Sequence, residues 1–490
     1  MVQPCISIRN GVSFPLSDLP KYAMTEFREL ILERVSAGER LAALFHMPLG
    51  QRSSVCAVLA GDEEGSLSAA AGLTEGTGFP ALTPECMQAH LFEREIAEET
   101  GLVPVGHPWL KPVRFTGATA GDMEFFRIEG PGVHEVAVGP VHAGVIEPGH
   151  FRFQCHGEIV LHLEISLGYQ HRGAEKAFTA ASPAMRSLLA ESVSGDAAAG
   201  HASAHAGAAE ALTGCPAPRR ALMIRAIAQE LERTACHIGD LGALAGDVGF
   251  LPTMSYCGRI RGAVLNMTAA ICGNRFSRGL IRPGGVRWDI GESLAAKLLE
   301  DAASVRADAE DAVGLLWETP TVMARFEGTG VLSRDDATAL GLVGPAARAC
   351  GLERDARSSF PYGGYILDPV PLESASTGDV LARARVRWGE IGRSLDFIER
   401  NLRNLPDSSL TVPPSPLRPF SMAVSVAEAW RGETAHIAVT DGKGDLARYK
   451  IIDPSFHNWF GLAVSMRNRG ISDFPLCNKS FNLSYCGFDL

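Results

Sequence analysis

The stretch APRRALMIRAIAQELERTACHIGDLGALAGDVG, residues 217–249, decides the fold class of this 490-residue chain. Its apolar side chains recur every three or four residues, which places them on one face of a helix. The stripe consists of Leu222, Ile224, Ile227, Leu231, Ile238 and Leu241. A second amphipathic pattern, DVLARARVRWGEIGRSLDFIERNLRNL, covers residues 379–405. The sequence therefore predicts a mainly helical region around these two segments.

Strand-like sequence flanks the helical region on both sides. VHAGVIEPGHFRFQCHGEIVLHLEIS, residues 141–166, alternates apolar and polar residues and predicts two or three strands of a short sheet. Residues 421–455 are β-rich again. We therefore predict that residues 141–490 form a mainly α-helical domain with small β-sheets near its two ends.

Residues 1–115 have a different texture. They mix short apolar runs, such as SSVCAVLAG at 53–61, with helical stretches such as YAMTEFRELILERVSAGERL at 22–41. This mixture predicts a separate α+β domain. Residues 116–140 are rich in glycine and proline and predict a linker that could hold one strand.

Composition excludes several classes of protein. The net charge of −11 argues against a nucleic-acid binder, which needs a basic surface to neutralise phosphates. The eleven cysteines form no C-x-x-C pair, so they favour reduced thiols over a disulfide framework or a cysteine-ligated cluster. No apolar run reaches the roughly 18 residues of a membrane span, which predicts a peripheral subunit if the protein works at a membrane.

A family resemblance begins in GEIVLHLEISLGYQHRGAEKAF, residues 157–178. Gly168 to Lys176 carry the G-Y-x-H-R-G-x-E-K pattern, which resembles the opening motif of nickel–iron hydrogenase large subunits and of the D-type subunit of respiratory NADH:quinone oxidoreductase. Further blocks follow in family order: MIRAIAQELERTACHIGDLG, NRFSRGLIRPGGVRWDI, ARACGLERDARSSFPYGGY and DPSFHNWFGLAVSMRNRGISDFPL.

The N-terminal domain extends the resemblance. FEREIAEETGLVPVGHPWLKPVRF, which ends at residue 115, is similar to the end of the C-type subunit of the same oxidoreductase. A fusion of a C-like with a D-like domain resembles the large subunits of the membrane-bound formate hydrogenlyase and hydrogenase-4 (component G) type.

The resemblance implies where metal ligands should stand. Hydrogenases of this family hold nickel and iron with two C-x-x-C pairs, whose soft thiolates suit these metals. The first pair falls on Ser194 and Ala197, and the second falls on Ser484 and Gly487, with Cys486 one residue out of register. The resemblance therefore implies that the nickel–iron centre is absent. It identifies no cofactor that is bound in its place.

The same cavity binds a quinone in the oxidoreductase family. The tyrosine used there aligns with Gly195, and the histidine aligns near Pro148, between His142 and His150. Asp247 matches the acid that partners this histidine. Gly195, His142 and Asp247 thus mark a quinone cavity that is half retained.

Several charged positions match the family cavity. Glu175 matches the glutamate that carries protons in hydrogenases, a role that requires burial to raise its pKa toward neutrality. The alternative is a glutamate on a helix surface that pairs with Lys176 or Arg172. His171, Arg172, Asp247 and Arg431 are further candidates for proton movement or coupling. Structural ion pairs are the alternative for these and for three more residues, Asp355, Arg357 and Glu428.

ESVSGDAAAGHASAH, residues 191–205, leaves two interpretations open. His201 and His205 share a helix face and could share zinc, but zinc needs three or four ligands and only Asp196 stands nearby. The favoured alternative is a helix of small residues that fills a vacated metal cavity.

The leading functional prediction is a non-metallated large-subunit homologue that couples redox change to ion translocation. Its partners would be a small iron–sulfur subunit, which holds the clusters, and membrane subunits of the antiporter-like and anchor type at the cytoplasmic face of the membrane. Alternatives are a quinone-binding subunit, an assembly scaffold, and a metal held in another register by a subset of Cys155, Cys236, Cys477 and Cys486.

Overall fold

The computed structural model describes residues 5–49, 52–144, 146–413 and 415–490. Its strands are β1 (Ile6–Ile8), β2 (Val12–Pro15), β3 (Lys21–Ala23), β4 (Arg40–Leu49), β5 (Arg52–Gly61), β6 (Ser66–Leu73), β7 (Gly78–Pro80), β8 (Val103–Val105), β9 (Val133–Val138), β10 (His150–His156), β11 (Ile159–Ser166), β12 (Ile281–Arg282), β13 (Gly285–Val286), β14 (Ser421–Ala429), β15 (Gly432–Thr440) and β16 (Leu446–Ile452).

Most of the helices lie between β11 and β14 in the chain. They are α1 (Met24–Ser36), α2 (His90–Thr100), α3 (Ala174–Ala180), α4 (Pro183–Ser192), α5 (Ala198–Thr213), α6 (Arg219–Asp247), α7 (Leu251–Cys272), α8 (Glu292–Trp317), α9 (Pro320–Phe326), α10 (Arg334–Ala339), α11 (Gly344–Arg348), α12 (Ala356–Ser359), α13 (Val380–Arg403), α14 (Pro454–Ser465), α15 (Phe474–Phe481) and α16 (Tyr485–Asp489).

The first hundred residues build a sheet in the order β1-β6-β5-β4, with β3 pairing β6 in parallel. β5 and β6 are buried along most of their length, on both faces. This burial explains why their sequences are runs of small apolar residues rather than alternating patterns. Helices α1 and α2 contact this sheet, so strands and helices are mixed in this region as predicted.

A three-stranded antiparallel sheet, β11-β10-β9, follows. β10 and β11 lie within the segment whose alternation predicts strands. β9 lies in the predicted linker and pairs with β10 over its full length, from Phe151 opposite Val138 to His156 opposite Val133.

Helix α6 is the central helix of the molecule and packs against α7 and α13. The predicted apolar stripe faces the core, with Ile224, Ile227 and Leu231 fully buried. Charged residues on the other faces are buried as well, among them Glu230 and Arg233. Because α6 is buried on all sides, the predicted apolar stripe accounts for only part of its buried surface.

A four-stranded sheet near the C-terminus has the order β16-β15-β14-β2. β14 to β16 confirm the β-rich prediction for residues 421–455. β2 comes from the first fifteen residues and pairs with β14 through Val12–Val424 and Pro15–Ser421. The sheet thus draws one strand from the predicted N-terminal domain.

Two features complete the architecture. Arg40 of β4 and Glu433 of β15 form a buried ion pair, 393 residues apart in the chain, that ties the two sheets together. Across the described ranges, no helix combines the length and the apolar character that crossing a membrane demands.

Candidate functional site

The two ends of the predicted metal site meet in the structure. Ser194 lies in the turn between α4 and α5, and Ser484 begins α16. Their hydroxyl oxygens are 3.0 Å apart, and both side chains are buried. Positions 290 residues apart therefore converge where the resemblance places two of the four ligands. We call the group Ser194, Asp196, Arg431, Ser484 and Gly487 the serine–arginine cluster.

Local hydrogen bonds fix Ser484 in this place. Its hydroxyl accepts the backbone N–H of Gly487 at 2.9 Å, which is the N-cap arrangement that starts α16. Its own N–H donates to the hydroxyl of Ser455 at 2.8 Å. The hydroxyl that stands at a ligand position thus serves as a helix cap.

An ion pair occupies the centre of the serine–arginine cluster. The guanidinium of Arg431 donates to both carboxylate oxygens of Asp196, at 2.6 and 2.8 Å. The indole N–H of Trp430 donates to the Asp196 carbonyl, and the Arg431 guanidinium lies 3.9 Å from the centre of the Trp430 ring. Burial alone would raise the pKa of Asp196, but Arg431 holds it below its ordinary value. Asp196 is therefore an ionised partner of Arg431.

Neither of the other two ligand positions, Ala197 and Gly487, has a side-chain donor atom, and a larger side chain at Gly487 would meet Asp453. Ala197 has only a methyl group. A Cβ atom at Gly487 would lie 2.5 Å from a carboxylate oxygen of Asp453, so a cysteine does not fit there unless Asp453 moves. Two hydroxyls and two positions without donors do not match the four thiolates of a nickel–iron centre.

The thiols near the cluster are engaged in hydrogen bonds with its residues. Cys486 Sγ is 3.4 Å from the Ser484 hydroxyl, and Cys236 donates to the Asp196 carbonyl. Burial raises the pKa of both thiols above the ordinary value. Within the described ranges, His, Cys, Asp and Glu side chains form no group of three or more that could hold a metal ion, and this covers the shifted-register thiols Cys155 and Cys477.

His201 and His205 make separate contacts. His201 lies 3.0 Å from Asp453 and 3.1 Å from His436, whereas His205 lies 2.8 Å from the Tyr449 hydroxyl. Asp196, the third zinc ligand considered, pairs with Arg431 instead. The small residues of α5 pack closely against β14, as Gly200 shows: a Cβ there would lie 2.7 Å from that of Ala429.

Glu232 is a residue at this site that the sequence analysis missed. It projects from α6 to the start of α5, where its carboxylate accepts the N–H groups of Ala199 at 2.7 Å and Gly200 at 3.2 Å. Burial raises its pKa to about 8, against the effect of these hydrogen bonds. Its position on a predicted amphipathic helix gave no signal that it caps another helix.

The structure contradicts the predicted pKa and the predicted surface pairing of Glu175. Glu175 is buried, and its carboxylate lies 3.0 Å from the ammonium of Lys450 and 3.1 Å from the guanidinium of Arg448. Burial would raise its pKa, but Lys450, Arg448 and Arg114 together lower it well below its ordinary value. The partners lie in β16 and in the segment after α2, and sequence spacing could not place them.

His171 and Arg172 lie in an exposed loop that holds the last residues of the chain. The imidazole of His171 donates to the carbonyl of Asp489, and the backbone N–H of Arg172 donates to that of Leu490. The Arg172 side chain donates to the Val193 carbonyl, beside the serine–arginine cluster. The motif that carries the family resemblance thus positions α16.

Asp355, Arg357 and Glu428 belong to a buried ionic network beneath the β14–β15 turn. Arg357 forms a bidentate pair with Asp355 and also reaches Glu230, while Arg348 joins Glu428 at 2.8 Å. Burial and the neighbouring Asp355 raise the pKa of Glu428 to about 7. These residues support the turn that carries Arg431 and lie behind the cluster.

The quinone candidates are not joined by hydrogen bonds. His142 donates to the Gly149 carbonyl at 2.8 Å, and His150 bonds to the Gly139 carbonyl. Asp247 is exposed at the end of α6, and in the described part of the chain no hydrogen bond connects it to His142. Gly195 is exposed, and a Cβ there would have no atom closer than Arg278 at 3.9 Å.

Comparison with known proteins identifies the family of the chain. The model of the family described as "Respiratory-chain NADH dehydrogenase, 49 Kd subunit" matches residues 247–420. Formate hydrogenlyase subunit 5 of Escherichia coli strain K12 is 32% identical over 432 residues, which cover 83% of this chain and 76% of the relative. The chain belongs to the large subunits that membrane-bound hydrogenases share with respiratory NADH:quinone oxidoreductases.

Two other relatives show both branches of the family. The carbon monoxide-induced hydrogenase of Rhodospirillum rubrum is 33% identical over 350 residues, 71% of this chain and 97% of the relative. The D-type subunit of the NADH-quinone oxidoreductase of Thermus thermophilus is 29% identical over 363 residues, 69% of this chain and 89% of the relative. The family therefore includes hydrogenase relatives and a subunit of an NADH-quinone oxidoreductase.

Proposed function

We propose that this chain is a large subunit without a nickel–iron centre, and that it couples redox change in a small iron–sulfur partner subunit to ion movement. The membrane partners would be subunits of the antiporter-like and anchor type, with this chain docked peripherally on the cytoplasmic face. The names of its relatives, which include a membrane-bound hydrogenase subunit alpha, support a setting in a membrane complex.

The observation that carries the proposal is the serine–arginine cluster. Ser194 and Ser484 stand in contact where thiolates would have to converge, and Arg431 with Asp196 fills the space between the α4–α5 turn and the β14–β15 turn. Because Arg431 donates to both carboxylate oxygens of Asp196, neither side chain offers a free ligand at this position. The same ion pair is a charged group whose conformation could respond to a redox change in an iron–sulfur cluster of the partner subunit.

Elemental analysis tests the metal-free state. The complex is purified intact from its native host, and nickel, iron and zinc are measured per large subunit. We expect no nickel and no zinc, with iron accounted for by the clusters of the partner. Stoichiometric nickel would overturn the proposal, and one zinc per chain that disappears in a His201→Ala/His205→Ala variant would restore the two-histidine site.

Ion coupling needs its own test in the intact complex. Membrane vesicles with the wild-type complex are compared with Asp196→Asn vesicles, since this change removes one charge of the central pair while keeping its shape. We expect redox-driven ion movement to fall while electron transfer through the partner clusters persists. Unchanged ion movement per electron would favour an assembly scaffold.

Quinone binding is a second candidate function, favoured by the open space above Gly195. Gly195 has no hydroxyl, and no hydrogen bond within the described residues joins Asp247 to His142, which counts against the hydrogen-bonding pattern of that family. Extraction of the purified complex with organic solvent would decide: about one quinone per complex, displaced in a Gly195→Trp variant, would establish this candidate.

A further inference from the structure

A cavity of about 880 Å³ lies between α5, the α3–α4 connection and the β15–β16 hairpin, and none of the five residues of the serine–arginine cluster lines it. Arg186, Lys443 and Asp445 are among the polar residues that line it, and His205 and Tyr449 form part of its wall. Its volume is sufficient to hold many water molecules.

An unbroken row of buried side chains runs from this cavity toward the cluster. His205 Nδ1 is 2.8 Å from the Tyr449 hydroxyl, which is 2.9 Å from Nδ1 of His436. His436 Nε2 is 3.1 Å from His201 Nδ1, and His201 Nε2 is 3.0 Å from a carboxylate oxygen of Asp453. That oxygen is the atom nearest to a Cβ built at Gly487. The row therefore joins the cavity to a predicted ligand position.

Tyr449 is held in place for this role. Its ring stacks on Phe178 with centroids 4.4 Å apart and an interplanar angle of 15°. Both imidazoles that contact the hydroxyl are more than nine-tenths buried. Since one hydroxyl carries one proton, it accepts from one imidazole and donates to the other.

Only two arrangements of protons satisfy every bond in the row. With Asp453 ionised, His205 donates to Tyr449, Tyr449 to His436, His436 to His201, and His201 to the carboxylate. With Asp453 protonated, every bond reverses. The second arrangement holds one proton more than the first: His205 Nε2 takes a proton from the cavity, and Asp453 receives one from His201, which is the property of a proton relay.

The pKa directions of His205 and His436 agree with neutral imidazoles at neutral pH. Burial lowers the pKa of His205 to about 3 and that of His436 well below its ordinary value. Burial would raise the pKa of Asp453, but its hydrogen bond with His201 and the charge of Arg431 hold it below its ordinary value. The resting state is the arrangement that points toward Asp453.

We propose that Asp453, His201, His436, Tyr449 and His205 form a proton relay between the cavity and the serine–arginine cluster. A proton from cavity water binds Nε2 of His205, and each member passes on the proton of its hydrogen bond. The last proton leaves His201 Nε2 and converts the Asp453 carboxylate into the acid. One proton enters, one arrives, and no electron moves.

Exchange of buried imidazole protons with water tests the relay in the full chain labelled with nitrogen-15 histidine. We expect the N–H protons of His201 and His436 to exchange with water far faster than the amide protons of α6, although both rings are fully buried. Tyr449→Phe keeps the stacked ring and removes the hydroxyl. It should slow this exchange by about tenfold or more, the factor for a barrier raised by about one hydrogen bond.

Tyr365→Phe is the matched control, because it removes another buried tyrosine hydroxyl, bonded to Glu230 outside the row. It should leave the histidine exchange unchanged. His205→Leu, which removes the cavity end, should slow the exchange as Tyr449→Phe does. Slow exchange in the wild type, or equal rates in wild type and Tyr449→Phe, would overturn the relay.

Use of the relay in coupling rests on the proposed function, whereas the exchange rates report the relay alone. Nickel in the native complex would therefore overturn the proposed function and leave the relay standing. Equal exchange rates of the histidine N–H protons in wild type and Tyr449→Phe would overturn the relay and leave the metal-free proposal standing.

Discussion

Ser194 and Ser484 share a hydrogen bond of 3.0 Å across 290 residues of chain. The α4–α5 turn and the start of α16 thus meet as they would around a shared metal, but through two hydroxyls. The hydroxyls are integrated into the local structure, since Ser484 caps α16 and Ser194 also donates to Asp196. What unites the two ends of the domain here is a hydrogen-bonded contact between neutral side chains.

A double-mutant cycle measures this contact. Ser484→Ala should cost about 1–2 kcal/mol of unfolding free energy, because it removes the cap of α16 and leaves the Gly487 N–H without its partner. Ser194→Ala should cost about 1 kcal/mol, and the double variant less than the sum, with a coupling of about 0.5–1 kcal/mol. Urea denaturation of the four proteins gives these values, and strict additivity would contradict a direct bond.

Gly487 and Gly195 form a matched pair of glycines at the same site. A Cβ at Gly487 would lie 2.5 Å from the Asp453 carboxylate, whereas at Gly195 the nearest atom is 3.9 Å away. Gly487→Ala should therefore lower the unfolding free energy by about 2–3 kcal/mol through overpacking. Gly195→Ala should change it by no more than about 0.5 kcal/mol, as at other open surface positions. Thermal unfolding of both variants compares the two, and equal shifts would show that Asp453 moves freely.

Local patterns predicted the elements better than their partners. The alternation in residues 141–166 and the stripe of Ile224, Ile227 and Leu231 gave β10, β11 and α6, since period and burial are local properties. The pairing of β2 with β14, and of Glu175 with Lys450, depends on chain segments more than 270 residues apart. No spacing rule reaches across such distances.

At the site, too, some residues could be predicted from the sequence and others depend on distant parts of the chain. Motif register singled out Ser194 and Ser484, and the structure places their hydroxyls in contact, because the family pattern encodes which loops converge. It gave no indication of His436 or Tyr449, whose positions follow from the strand register that sets Ala438 opposite Tyr449 and His436 opposite Ile451. Buried polar rows of this kind become visible only when three or more elements are assembled.

Stability should decline with rising pH because of Glu232. Burial raises its folded pKa to about 8, whereas in the unfolded chain it ionises near its ordinary value of about 4.5. Between these values the unfolded state releases its proton and the folded state keeps it, so unfolding becomes easier as pH rises. This contribution is at most about 4 kcal/mol between pH 5 and pH 8.

Glu232→Gln removes the titrating group and should flatten this decline. Guanidinium denaturation at pH 5 and pH 8 measures the difference for wild type, Glu232→Gln and the exposed control Glu300→Gln. The control should retain the wild-type slope. An unchanged slope in Glu232→Gln would assign the pH dependence to another buried group, of which Glu428 is the nearest in pKa.

Glu175 should show the opposite pH dependence. Its folded pKa is lowered by Lys450, Arg448 and Arg114, so its stabilising contribution is present above the unfolded value of about 4.5 and is lost as pH falls further. Glu175→Gln should cost about 3 kcal/mol at pH 7, since it leaves the fully buried Lys450 with Glu95 alone. The deficit should shrink when the two proteins are compared near pH 4, where the unfolded carboxyl is largely protonated.

Lys450→Met provides the reciprocal change. Alone it leaves the Glu175 and Glu95 carboxylates facing Arg448 and Arg114, and it should destabilise the protein about as much as Glu175→Gln. In the double variant the polar pair is replaced by two neutral side chains, so the cost should be smaller than the sum. A Glu175→Gln protein as stable as wild type at pH 7 would show that Glu175 carries a proton there. In that case the carboxyl would be free to act as the proton carrier that the family resemblance implies.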